Sequence, residues 1–360
     1  APASLTIIAG SGGDTITVKS LDALFAADLL LYGNKAGSPT PEPDAGHDKI
    51  EFQGNVYTHG GYIEAFADDI VVDSGKTLST LVNSTLINEP TGDPTHPDNP
   101  SVVDSRGRPD FASGSNDIVF RARRIGTPEI ENLLPSGYLS KTVSIDIGAD
   151  ANLYAGSIYL VAQAEDRDIA TQLGLTSVSP LLGGINFVKD FLTDLVTLPV
   201  KVLVKDAHAS VTVGTNARLL AEDVIGVYAT AATDSSAQAK GSVVSLGYSQ
   251  AGANAEIDIA SFARVEGGGP VNITSDAGAT AKMSATTERE EQGDVPGLKA
   301  KQNKQNAFAA ALAVTYANTV STTTVHENAF VHGGRTVNVR ALGTVESEAA
   351  SVASRLPCAM

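Results

Sequence analysis

The chain has 360 residues, 42% of them hydrophobic, and carries 25 basic against 41 acidic residues, a net charge of −16. That much apolar material excludes a disordered chain, and an acidic chain without clustered Lys and Arg excludes a phosphate-binding surface for nucleic acid. No apolar run is long enough to span a membrane as a helix, and the single cysteine, Cys358, excludes an internal disulfide framework.

The composition narrows the fold. Aromatic residues make up 5% of the chain, Trp is absent, and Gly reaches 34. Small and β-branched side chains of this kind suit a narrow β core rather than a wide globular one.

In chain order, the first signal is the strand-like run Leu5 to Ile8, from which the chain reads as a piece of a longer protein. Ile16-Thr17-Val18 alternates and predicts a strand. Ser20 to Gly33 has helix-like ends, but Leu29-Leu30-Leu31 favours a solenoid rung. Residues 34–49 hold Pro39, Pro41 and Pro43 and read as an insertion. His59-Gly60-Gly61 reads as a corner, and Ile70-Val71-Val72 with Leu78 as the next rung. Residues 83–110, with five prolines, read as a second insertion. A third, 168–199, contains Val188, Phe191, Leu192 and Leu195 at helical spacing, which predicts a short helix ended by Pro199. A fourth, 288–306, is polar throughout.

Between these insertions the chain repeats. Val211, Val213, Leu219, Ile225 and Val227 recur 46 residues later as Ile257, Ile259, Val265, Val271 and Ile273. A further shift of 66 gives Val331, Val337 and Val339, and a backward shift of 66 gives Ile145, Ile147 and Leu153, followed after a one-residue gap by Ile158-Tyr159-Leu160. Short alternating runs separated by Gly-rich turns cannot bury a face alone, but can when stacked. The spacing predicts an all-β, right-handed parallel β-helix as one solenoid domain over residues 1–360. A repeat of 46 is taken as two coils of about 23 residues, and 66 as the same with an insertion. A dozen such coils would make a rod roughly 55–60 Å long.

The stretches LLLYGN at residues 29–34, GNVYTHGGYIEAFADDIVVD at 54–73, and those at 116–126 and 205–227 resemble giant secreted filamentous adhesins of Gram-negative bacteria. This family takes in the leukotoxin-like filamentous adhesins and filamentous hemagglutinin-like β-solenoid proteins. The resemblance covers most of the chain. Its GNVYTHGG segment is distinctive, whereas the Ala, Val and Thr repeats are common to solenoids. It implies a right-handed parallel β-helix and export to the cell surface or extracellular space; it does not imply a catalytic set.

Parallel β-helices also host polysaccharide lyases and hydrolases, which need carboxylates meeting on one strand face. Asp68-Asp69 is the best acidic pair, but its place ahead of a strand predicts a solvated corner. His59-Gly60-Gly61 has a counterpart in His332-Gly333-Gly334, so that triplet also reads as a corner. Asp44, His47 and Asp48 form one candidate set for a divalent ion, and Asp93, His96 and Asp98 another. Acid-rich corners more often hold turns through side-chain-to-backbone bonds. The reading therefore expects no cofactor, with calcium kept open.

Three functions follow from these residues. The first is a non-catalytic stalk or adhesive segment of a secreted solenoid. The second is a carbohydrate-active enzyme, and the third a self-assembling fibre subunit. Expected partners are neighbouring solenoid segments or copies of the chain, and host-cell or surface polysaccharide.

Overall fold

The structure, a computed structural model, describes residues 4–10, 12–22, 24–33, 46–81, 116–125, 136–166, 200–241, 244–288 and 310–354. The expected helix within 168–199 and the insertion 83–110 lie outside these residues. So do most of 34–49 and 288–306, although Lys49 already opens a strand and Glu288 closes one.

The described chain is all-β and winds through three parallel sheets. Sheet A holds β1 (Ser4–Ile8), β3 (Asp28–Tyr32), β6 (Ile63–Ala67), β9 (Ile118–Ile125), β12 (Ile158–Asp166), β15 (Ile225–Gly241), β18 (Val271–Glu288) and β21 (Val337–Ser354). Sheet B holds β2 (Thr15–Val18), β4 (Lys49–Phe52), β7 (Asp69–Val72), β10 (Ser136–Ile147), β13 (Val200–Val213), β16 (Val244–Ile259) and β19 (Ala310–Val325). Sheet C holds the short β5 (Val56–Tyr57), β8 (Thr77–Ser79), β11 (Asn152–Ala155), β14 (Arg218–Ala221), β17 (Arg264–Gly267) and β20 (Phe330–Gly333). Each full coil runs from B through C to A, a parallel β-helix.

Register corrects the repeat arithmetic. Val211 pairs directly with Ile257, so 46 residues make one coil, not two. Ile145 pairs with Val211, and Ile257 with Thr323, so 66 residues are also one coil with a longer connection. The smallest coil carries Ile50 to Ile70 in 20 residues. Sheet A has eight strands rather than the dozen levels expected, and its seven steps amount to roughly 34 Å along the axis.

A ladder of aliphatic side chains fills the three-sided part. Leu29, Ile63, Ile118, Ile158, Ile225 and Val271 follow one another in register and are fully buried. Phe52 and Phe120 stack inside with ring centres 5.4 Å apart. Of the repeat residues, Ile145, Ile147, Leu153, Val211, Val213, Leu219, Ile225, Val227, Ile257, Ile259, Val265, Val271 and Ile273 are buried. Val331 is half-buried, while Val337 and Val339 are 43% and 47% exposed, because β20 and β21 each pair on one side only.

From the fifth level onward the strands of A and B outgrow this prism. They reach 14 to 18 residues in β13, β15, β16 and β18 and face one another as a wing, with no third sheet between them among the described residues. Ala207, Ala229, Ala231, Ala251, Ala253 and Ala279 point inward there. Small hydroxyls span the gap. Thr233 donates to the Gly252 carbonyl at 3.1 Å, and Ser249 to the Ser235 carbonyl at 2.7 Å. A side chain of two or three heavy atoms thus reaches the opposite backbone, which the usual spacing of about 10 Å between packed sheets would forbid. A buried ion pair, Lys205 Nζ to Asp166 Oδ1 at 3.5 Å, also lies inside.

The turn from B to C repeats one backbone state. Gly75, Asp150, Asn216, Phe262 and Asn328 all have φ between 58° and 70°. Gly, Asp and Asn tolerate this left-handed region, and Phe262 is the exception.

Candidate functional site

The sequence-predicted acids meet at the corner between sheets A and B, in the early coils where the wing has not begun. Asp14, Asp48 and Asp68 each precede a strand of sheet B, in β2, β4 and β7. They form a chain of bonds along the axis. The Asp14 amide donates to Asp48 Oδ1 at 2.8 Å, and the Asp48 amide to Asp68 Oδ2 at 2.9 Å. The amides of Asp68 and Asp69 donate back to the Asp48 carbonyl. These carboxylates do at a sharp corner what regular ladder bonds do in the sheets.

Asp68 is therefore not the solvated corner expected. It is buried, because the next coil closes over it and Arg124 of β9 reaches its Oδ2 at 3.6 Å. Burial pushes its carboxyl above the ordinary value, opposed by the Asp48 amide, Arg124 and His47. Burial also raises Asp146 in β10, opposed by Lys49.

His47 lies over this corner. Arg124 sits 2.8 Å from its Nδ1, and Asp69 Oδ2 2.6 Å from its Nε2. A guanidinium can only donate, so Nδ1 accepts and Nε2 carries the hydrogen given to Asp69. Ser144 donates to the other Asp69 oxygen at 2.6 Å. Serine and histidine thus share the carboxylate and do not touch, which is the wrong order for a nucleophilic triad. The acids at this corner are occupied by backbone amides, a guanidinium and a hydroxyl.

Among the described residues, no group of three or more His, Cys, Asp and Glu side chains is arranged to hold a metal ion. Of the first candidate set, His47 and Asp48 fall at the corner and Asp44 lies outside the described residues. Asp93, His96, Asp98 and Cys358 lie outside them as well. The two glycine triplets are corners between sheets C and A. A Cβ on Gly61 would stand 2.1 Å from the Ala27 carbonyl oxygen, and one on Gly334 at the same distance from that of Gly268.

Sequence reasoning missed Asp14, Arg124 and Ser144. Asp14 had a readable signal: Asp14-x-Ile16, Asp48-x-Ile50 and Asp68-x-Ile70 share one spacing ahead of each sheet B strand. Arg124 and Ser144 had none, since only the coil register brings them in.

A second feature separates the outer faces of A and B. Outward on sheet B stand Thr15, Thr17, Lys49, Glu51, Asp69, Ser144 and Asp146, with Val71 the one apolar member among them. Outward on sheet A in the same part of the prism stand Tyr32, Phe66, Tyr159, Val161 and Tyr228. Tyr32 donates to Glu64 at 3.1 Å, and Arg121 pairs with Glu64 at 2.7 Å. Tyr62, at the start of the same face, has its phenol pushed up to about 12 by burial, and further by Glu64.

No protein-family model, curated protein or solved structure matches this chain. No helix among the described residues is long and apolar enough to cross a membrane.

Proposed function

We propose that the chain is a non-catalytic structural and adhesive segment of a secreted bacterial filamentous solenoid, serving as a surface stalk or extracellular fibre. The observation that supports this reading best is the fate of its acids. Asp68 and Asp69, the best acidic pair in the sequence, and Asp48, from a candidate metal set, act as corner fasteners between coils. The stacked coils of one parallel path are the architecture of a spacer, and the resemblance of residues 54–73 to filamentous adhesins adds the extracellular setting.

The test is electron microscopy of the protein with and without calcium, beside an assay for chain cleavage of neutral and acidic polysaccharides. Rods with no polysaccharide cleavage are expected. Uniform fibres with an axial repeat near one segment would make the chain a polymerising subunit instead. Release of new sugar ends would replace this reading with the enzyme. A net charge of −16 holds copies apart at low salt, so self-association is expected to strengthen as salt or calcium is added.

A further inference from the structure

We propose that the outer face of sheet A is a binding strip for a linear, uncharged glycan. The inference rests on the adhesive reading above and names its ligand class.

The same alternation rule governs sheets A and B, so both should turn polar side chains to solvent. From β2 to β10 sheet B does, and only farther on does it turn Val200, Leu246, Leu312 and Tyr316 outward. Over the early levels sheet A instead turns half-buried rings outward along its axis. By register, the column Tyr32, Phe66, Arg121, Val161, Tyr228 climbs four coils, about 19 Å. Tyr159 lies one coil below Tyr228 in the neighbouring column. Gly226 sits between these two rings. A Cβ there would stand 2.5 Å from Cε2 of Tyr228 and 3.1 Å from Cδ1 of Tyr159, so both rings lean over the bare backbone as a broad platform.

The chemistry selects the occupant. Most of the rings are tyrosines, flat and apolar with a hydroxyl at one edge, and a pyranose matches them with an apolar C–H face and a rim of hydroxyls. A lipid surface would favour aliphatic side chains and cations. The charged pair in the strip, Glu64 with Arg121, neutralises itself, and the chain as a whole repels polyanions. An uncharged glycan fits both facts. The length of the strip accommodates several sugar units in a row, one ring platform at each end.

The experiment is calorimetric titration of the whole chain with linear β-1,4-glucan, α-1,4-glucan and chitin-type hexasaccharides, with alginate and hyaluronan fragments as acidic comparators. Binding of at least one neutral series is expected. Tyr228→Ser and Tyr159→Ser should each weaken it about tenfold with an unchanged far-ultraviolet spectrum. Val71→Ser on sheet B should leave it unchanged. Ring accessibility is read by tetranitromethane nitration and mass spectrometry: Tyr159 and Tyr228 should nitrate in the free protein and be protected by the glycan. No neutral ligand bound, binding only to acidic fragments, or indifference to the tyrosine changes overturns the proposal. Protection of both rings without ligand also overturns it, because the strip would then be covered by the chain itself. Cleavage of a bound glycan would sink the non-catalytic reading and leave the strip standing.

Discussion

The prism and the wing are built from continuous strands of the same two sheets, yet the bulky aliphatic and aromatic side chains concentrate in the first and small ones dominate the second. Inside the prism, sheet C holds A and B apart, and the space is filled by Leu, Ile, Val and the Phe52–Phe120 stack. Beyond the corner no third sheet intervenes among the described residues, A and B close together, and Ala, Ser and Thr dominate, with Leu203, Met283 and the Lys205–Asp166 pair as the larger members. The lesson is that spacing between sheets, not strand propensity, chooses the inward side chain. The hydroxyls of the wing then replace part of the lost apolar burial with bonds to the opposite backbone.

The sharpest way to break this comparison is to shrink the prism core. Phe120→Ala removes one of two stacked, fully buried rings and should cost about 3–5 kcal/mol in denaturant unfolding. A loss near that of a surface change would mean the prism is loosely filled. The opposite change tests the wing: Ala253→Leu should cost about 1–3 kcal/mol by overpacking. A neutral result would show that the sheets have room to spare.

The hydroxyl bridges are tested as a pair. Ser235 and Ser249 lie 2.8 Å apart and are both buried. Ser249→Ala alone should cost about 1–2 kcal/mol, because a buried hydroxyl loses its partner. Adding Ser235→Ala should recover part of that loss; purely additive losses would refute the bridge. A smaller effect of opposite sign is expected at the B-to-C turn. Phe262 is 54% exposed in the left-handed region, and Phe262→Asn should stabilise by about 1 kcal/mol, visible as a higher melting temperature.

The smallest effect concerns the corner of the early coils, below the wing. Asp68 has a raised carboxyl, so its native environment favours the protonated form. Its contribution to stability is complete below the ordinary value of 3.8 and is lost as pH rises through the raised one. Asp68→Asn should flatten the stability profile across that window. An unchanged profile would show that folding does not shift the Asp68 carboxyl.

Much of the prism was legible because its inward columns repeat at fixed offsets, and Val211 with Ile257 or Ile225 with Val271 are true coil partners. The coil length was misread for a physical reason. Two short alternating motifs, one from B and one from A, occur in every turn, so one coil looks like two. The wing was not legible at all. Its inward alanines and serines differ too little from the outward Ser, Thr and Asn to give a period-2 signal. The corner was legible as acids ahead of strands, but their burial was not, since Arg124 and the coil above arrive from distant sequence. Phe262 gave no turn signal because Phe is no left-handed former.

Coil geometry also sets what tension would do. One full turn adds about 4.8 Å to the height of the stack. The turn from Val211 to Ile257 stores 46 residues, and peeled from the end and drawn straight it reaches about 150 Å. That coil is thus a reserve of hidden length some thirty times its height, and the 20-residue coil from Ile50 to Ile70 one of about fourteen times, paid out one level at a time under load.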